Sequence, residues 1–255
     1  MRKIILDKLN EIERRENVRI IHCVESGSRA WGFNSPDSDY DVRFVYVRPE
    51  DFYLRLDKTR DVIEWQLDDT LDINGWDIRK ALGLLHKSNP TVFEWNRSPI
   101  VYKTTEVWRR IAAVADSYFG AKSAMYHYLS IAKKNFKKYL GEDTVPFKKY
   151  FYMLRPVLAC RWILERGTPP PIEFGALMES CLFEQDVKRD VVKLLDLKIN
   201  SPEIAIGKPL ERIDEFLDKE IAKNDSLLLE MPSDERKGWE ELNDLFLSLV
   251  KTQKT

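Results

Sequence analysis

Residues 25–47 read Glu25-Ser-Gly-Ser-Arg-Ala-Trp-Gly-Phe-Asn-Ser-Pro-Asp-Ser-Asp-Tyr-Asp-Val-Arg-Phe-Val-Tyr-Val47. From Tyr40 the text alternates and is rich in β-branched and aromatic residues, which predicts a strand. On a strand, residues i and i+2 share a face, so Asp39 and Asp41 project together. Two neighbouring carboxylates repel unless a cation lies between them. Hard oxygen ligands suit Mg²⁺ or Mn²⁺, and Mg²⁺ is commonly held by one or two carboxylates plus substrate phosphates. Upstream, Val18-Arg-Ile-Ile-His-Cys-Val24 predicts another strand. Gly27 then permits a tight turn with close backbone approach. Its N–H groups and the Ser28 hydroxyl would cradle a terminal phosphate. The plain alternative is turn chemistry, which Ser35-Pro-Asp-Ser38 certainly is. A lone Asp-x-Asp is common in turns; the Gly-Ser pair in the same strand–turn–strand unit is what favours the metal reading.

Outward from this unit, the chain divides in two. Residues 1–103 mix helix and strand signals. Ile4-Ile5-Leu6, Leu9 and Ile12 form a helical stripe, and further strands are expected at 61–67 and 70–73. Ile78, Ala81, Leu82 and Leu85 recur at helical spacing, Pro90 stops or restarts that helix, and Pro99-Ile-Val-Tyr102 reads as a short extended segment. Asp68 and Asp69 read as turn residues. Residues 104–255 are nearly all helical, with helices expected at 104–116, 118–140, 147–166, 172–181, 185–197, 208–222 and 234–251. Short linkers argue for a packed helical domain.

A chain of 255 residues is long enough for a substantial core. Apolar content of 44% and charged content of 33% are those of a soluble globular protein. A net charge of −1 excludes a surface coated for bulk nucleic-acid binding but allows a local basic groove. Cys23, Cys160 and Cys181 are widely spaced in apolar stretches and read as reduced core residues of a cytoplasmic protein. No signal-peptide core and no apolar run of ~18 residues is present, so no membrane partner is expected.

Basic residues supply the anion-binding side. Lys134, Lys137 and Lys138 follow one helix face beside Lys133, and Lys148, Lys149 and Arg155 open the next helix. Tyr126, Tyr128, Tyr139 and Tyr150 are interleaved with them, which suits a phosphate or RNA groove with stacking platforms as well as it suits a solvated face. Arg155 lies in an apolar run and needs an anion, either a triphosphate or a structural carboxylate. Arg29 and Arg43 pose the same choice. His22, His86 and His127 have no spacing for a metal cluster and read as structural. The tryptophans read as core, with Trp31 also placed to wall the site.

Gly27-Ser28 followed by Asp39-Tyr40-Asp41 resembles the Gly-Ser…Asp-x-Asp signature of the DNA polymerase β-like nucleotidyltransferase superfamily. Within it, Glu25 to Phe33 is similar to the first motif of the RlaP-like, RNA-repair-associated group. Asp72-Ile-Asn-Gly-Trp-Asp-Ile-Arg-Lys-Ala-Leu82, Lys87-Ser-Asn-Pro90, Glu94-Trp95 and Ser98-Pro-Ile-Val-Tyr102 resemble its later motifs. Leu154-Arg-Pro156, Arg161-Trp162 and Pro169-Pro170 extend the likeness more weakly. The resemblance implies an α+β fold: a mixed-sheet catalytic domain followed by an all-α domain. It implies NMP transfer from an NTP to a hydroxyl acceptor, with two Mg²⁺ (or Mn²⁺) ions and release of pyrophosphate. Gly27, Ser28, Arg29, Lys149 and Arg155 would bind the nucleotide.

The resemblance also calls for a third carboxylate, on a strand beside the Asp-x-Asp strand, that helps deprotonate the acceptor. Asp72, in a strand-like context, is the first choice. Asp77 is the alternative, at a helix start where Asp is a favoured N-cap. RNA is the acceptor favoured by the group. A catalytically silent nucleotide- or partner-binding module and a metal-dependent phosphoesterase are the competing readings. The residues carry no signal for the NTP base, the number of additions or the oligomeric state.

Overall fold

The computed structural model describes residues 1–57, 59–68, 70–139 and 141–251. The expectation of a turn at Asp69 lies outside the described residues. In chain order the first elements are α1 (Arg2–Glu16), β1 (Arg19–Glu25), α2 (Gly27–Trp31), β2 (Tyr40–Val47), α3 (Glu50–Tyr53), β3 (Val62–Leu67) and β4 (Leu71–Asp77). Then come α4 (Ile78–His86), α5 (Pro90–Asn96), β5 (Val101–Thr104), α6 (Glu106–Ala115), α7 (Ala121–Tyr139), β6 (Val145–Pro146) and α8 (Phe147–Arg166). The chain continues through α9 (Phe174–Cys181), α10 (Gln185–Ile199), β7 (Ile206–Gly207), α11 (Glu211–Glu230) and α12 (Glu240–Lys251). The class is α+β, as the sequence suggested.

Two compact units result. The sheet unit holds residues 1–30, 39–118 and 236 onward; the helical unit holds 31–38 and 119–235. The units are therefore interleaved in sequence, whereas the composition suggested one cut between 103 and 104. The reason is packing. Trp108, Ile111 and Ala115 bury the inner face of α6 within the sheet unit. α12 joins the same unit: Trp239, just before it, stacks on His86 at 3.6 Å, and Phe246 meets Tyr53 at 5.2 Å.

The sheet is five-stranded in the order β3-β4-β2-β1-β5. β2 and β4 run parallel, and the other neighbours are antiparallel. The parallel register sets Asp41 opposite Asp72 and Tyr46 opposite Asp77. Ile5, Leu9 and Ile12 of α1 pack with Val42, Phe44 and Tyr46 of β2 and with Leu71 and Ile73 of β4. Gly75 is required where β4 crosses Phe44, because a Cβ there would overlap the ring. β4 runs straight through this glycine to Asp77, beyond the strand expected at 70–73.

α5 begins at Pro90, whose fixed φ suits a first helical turn, and the Asn89 side chain caps it by accepting from Thr91 N–H. Pro90 thus restarts the helix. In the helical unit, α7, α8, α9 and α11 surround one apolar cluster that includes Tyr150, Phe151, Leu154, Leu158, Phe174 and Leu217. Phe33, from the 31–38 segment, stacks on Phe151 at 4.7 Å within it.

Candidate active site

β1 ends at Glu25, and Gly27 follows in the left-handed region at φ 60°. Few residues but glycine adopt this conformation without cost. A second constraint is steric: a Cβ on Gly27 would overlap Asp41 Oδ2. The Asp41 carboxylate therefore lies directly against the Gly-Ser turn. Ser26 N–H donates to the Asp41 carbonyl at 2.8 Å, closing the turn onto β2. The turn itself is helical: Gly27–Trp31 is a five-residue helix, and Ser28 is buried in it.

β4 decides between the two candidate carboxylates. Its burial alternates, with Leu71, Ile73, Gly75 and Asp77 inward and Asp72, Asn74 and Trp76 less so. Asp72 and Asp77 thus face opposite sides of the sheet. Asp72 stands beside Asp41, and Arg43 joins them. Arg43 Nη2 donates to Asp41 Oδ1 at 2.8 Å and to Asp72 Oδ2 at 2.6 Å, while Nη1 donates to the Asp72 carbonyl at 2.8 Å. The three side chains are 18–27% exposed. The anions beside Arg43 are therefore carboxylates of the site itself. Asp77 is 3% exposed. Its Oδ1 accepts from Arg79 N–H at 2.8 Å as the cap of α4, and its Oδ2 accepts from Tyr53 O–H at 3.0 Å. Burial pushes its carboxyl above the usual range, against those two hydrogen bonds.

Asp39 is half-buried just before β2. Its carbonyl accepts from Arg29 Nε at 3.0 Å, and the Arg29 guanidinium lies 3.8 Å from the Tyr40 ring centroid. Arg29 thereby braces the start of the Asp-x-Asp strand. Among the described residues, no group of three or more His, Cys, Asp or Glu side chains is arranged to hold a metal ion. The structure gathers Gly27, Asp41, Arg43 and Asp72, with Asp39 and Arg29 adjoining them along the chain.

Sequence reasoning missed Glu25. It is 1% exposed and supports β2 from below. Its Oε1 accepts from Asp41 N–H at 2.7 Å, its Oε2 accepts from Tyr102 O–H, and its carbonyl accepts from Ser98 Oγ at 2.6 Å. Burial pushes its carboxyl up to about 7, with the Tyr102 and Asp41 hydrogen bonds pulling the other way. Its position at the head of the first motif was the available signal.

Lys149 and Arg155 belong to α8 of the helical unit. Lys149 Nζ lies 4.8 Å from the Tyr152 ring, and buried Arg155 lies 4.5 Å from the Trp31 ring and donates through Nε to the Ile172 carbonyl at 3.3 Å. Lys133, Lys134, Lys137 and Lys138 are exposed on α7, and Lys133 pairs with Asp225 at 2.9 Å. His22 is structural: Nε2 meets the Trp95 carbonyl at 3.1 Å and Nδ1 meets Thr104 Oγ1 at 3.3 Å. A carbonyl only accepts, so Nε2 carries a proton. Burial holds its pKa down to about 4. The three cysteines are free and buried.

A mixed sheet that carries a Gly-Ser turn against one carboxylate, and a second carboxylate on the adjacent parallel strand, defines a polymerase β-like nucleotidyltransferase. The chain belongs to the RNA repair pathway DNA polymerase beta family, RlaP, whose description matches residues 1–248. It is 42% identical over 255 residues to the uncharacterized protein YcgL of Bacillus subtilis (strain 168), covering 98% of this chain and 97% of that one. A nucleotidyltransferase-like protein from Exiguobacterium sibiricum 255-15 superposes with a TM-score of 0.33 at 10% identity, over 100% of this chain and 81% of the other. No described helix is long and apolar enough to cross a membrane.

Proposed function

We propose that the protein is a metal-dependent nucleotidyltransferase that moves NMP from an NTP to a hydroxyl acceptor and releases pyrophosphate. The supporting observation is the convergence of Asp41 and Asp72, from adjacent parallel strands, on one cationic nitrogen of Arg43. The donor set fits a hard divalent cation, because both carboxylates are half-buried oxygen donors already arranged around positive charge. Asp41 and Asp72, with Asp39 beside them, would hold two Mg²⁺ or Mn²⁺ ions. Bound there, the ions would neutralise charge at the α-phosphate and lower the pKa of the attacking hydroxyl.

The chain's own residues position and exclude. Gly27 lets the Asp41 carboxylate lie directly against the turn. Ser28 and the N–H groups of the turn grip the β- and γ-phosphates. Arg29 holds the Asp39 main chain, and Glu25 holds that of Asp41. Asp72 Oδ takes the acceptor's proton. The protein's contribution is chiefly placement and charge compensation. An RNA acceptor is supported by the family's description and by the exposed lysines and Tyr126 of α7.

The test is pyrophosphate release with Mg²⁺, labelled NTPs and an RNA pool. Asp39→Ala combined with Asp41→Ala should abolish it; undiminished release in that double variant sinks the reading. One observation favours a second reading, a silent nucleotide-binding module: Arg43 already supplies the positive charge that both carboxylates require. Retention of NTP in equilibrium dialysis without pyrophosphate release would select it.

A further inference from the structure

The segment between the Gly-Ser turn and the Asp-x-Asp strand is held by residues far away in sequence. Lys198, near the end of α10, is 0% exposed. Its Nζ donates to Glu203 Oε2 at 2.6 Å and also to Ser35 Oγ. Ser35 Oγ in turn donates to the Lys198 carbonyl at 2.9 Å, and Ser38 Oγ donates to Glu203 Oε2 at 2.6 Å. Glu203 N–H closes on the Asp37 carboxylate at 2.9 Å, and Lys148 Nζ approaches Glu203 Oε1 at 3.3 Å. Within the loop, Ser35 N–H donates to Ser38 Oγ at 2.9 Å. Both hydroxyls thus serve as donor and acceptor at once, and one ion pair between a buried lysine and a half-buried glutamate secures both ends of a four-residue turn.

A fully buried lysine is rare, and an ion pair out of water is weak evidence of a role in stability, because apolar residues often replace such pairs without loss. Such pairs are better suited to fixing one geometry, and the geometry here matters. Ser38 directly precedes Asp39, and Trp31 ends the helix that Gly27 and Ser28 begin. The turn sets the path of chain between the phosphate-gripping residues and the carboxylates.

We propose that Lys198 and Glu203 are positioning residues for nucleotidyl transfer: their ion pair fixes the Ser35–Ser38 turn and so the course of the chain that joins Ser28 to Asp39. This rests on the function proposed above. Misplacement of reacting groups by ~1 Å costs on the order of 10²-fold in rate. The double variant Lys198→Met/Glu203→Gln removes both charges together and leaves no buried ion unpaired.

The experiment measures hydrogen exchange at residues 35–39 and steady-state NTP kinetics in the full chain. Exchange at 35–39 should accelerate by about tenfold or more while α7 and α8 keep their protection. The kcat should fall about 10²-fold with KM for NTP changed less than about threefold. Unchanged exchange, or faster exchange with unchanged kcat, overturns the proposal. If the double variant does not melt cooperatively, Ser38→Ala, which removes one hydroxyl, takes its place with smaller changes in the same directions. A wild-type protein that releases no pyrophosphate defeats the functional reading instead. Mn²⁺ affinity then replaces kcat, and an affinity unaltered by the variants overturns the positioning role. A wild type that also fails to bind Mn²⁺ removes the site and its positioning residues together.

Discussion

The two ends of β4 carry the same residue type in opposite situations. Asp72 is half-exposed, faces a neighbouring carboxylate and shares one guanidinium with it. Asp77, on the other face, is buried, caps a helix and accepts from a tyrosine. Asp77 therefore has all its hydrogen bonds in the service of local structure, while Asp72 sits in a charge arrangement that only an added cation or Arg43 completes. A carboxylate whose bonding is finished by the fold is a structural group; one that must borrow a charge is a candidate for chemistry.

The strongest way to break this contrast is Asp72→Asn. It should lower kcat for pyrophosphate release by about 10²–10³-fold, as loss of a charge-stabilising group typically does. Its melting temperature should stay close to that of the parent, since Arg43 keeps Asp41. Loss of stability with unchanged turnover would reverse the assignment.

Gly27→Ala probes the same end of the strand. A methyl in the left-handed region and against Asp41 Oδ2 should cost about 2–4 kcal/mol in a urea titration. An ordinary surface-sized effect of under ~0.5 kcal/mol would mean that Asp41 can withdraw.

At the other end, Asp77→Ala should cost about 2–3 kcal/mol through the lost cap and an unsatisfied Tyr53 hydroxyl, with kcat of the folded protein within about threefold of the parent. The smallest effect belongs to Asp77→Asn. Asn also caps helices, and a hydroxyl can accept as well as donate, so stability at neutral pH should change by less than about 1 kcal/mol. Its value lies in pH. Burial raises the Asp77 pKa, so the folded state holds this proton more tightly than the unfolded state does. Asp77 therefore contributes stability at low pH that is lost as pH rises through its folded pKa. The stability of the parent relative to Asp77→Asn should fall as pH rises above the ordinary Asp range; a rise with pH would refute the burial argument.

The elements legible in the sequence were those with local periodicity. The alternation of 40–47 and the stripes Ile5/Leu9/Ile12 and Ile78/Ala81/Leu82/Leu85 each report a buried face directly. α2 was read as a turn because five residues are too few to show a helical period. The pairing of Asp41 with Asp72 depends on a strand register between distant segments, so spacing alone left Asp77 in contention. The burial of Glu25 depends on Tyr102 from β5, a partner that no local pattern reveals. Lys198 leaves a trace in the local pattern. Val187, Val191, Leu194 and Lys198 form the buried stripe of α10, and a lysine at an apolar-stripe position needs a partner. Composition sees helices, not what they pack against, so α6 and α12 read as part of the helical run although they pack in the sheet unit.

The interleaving of the two units bears on the order of assembly. Residues 236–251 are synthesised after residues 119–235, yet they supply Trp239 to His86 and Phe246 to Tyr53 in the sheet unit. Every segment of the helical unit has therefore emerged from the ribosome before the sheet unit has its last helix. Domains generally fold as units as they are made. α3 and α4, which carry Tyr53 and His86, are thus made early in synthesis and gain their last packing partners late.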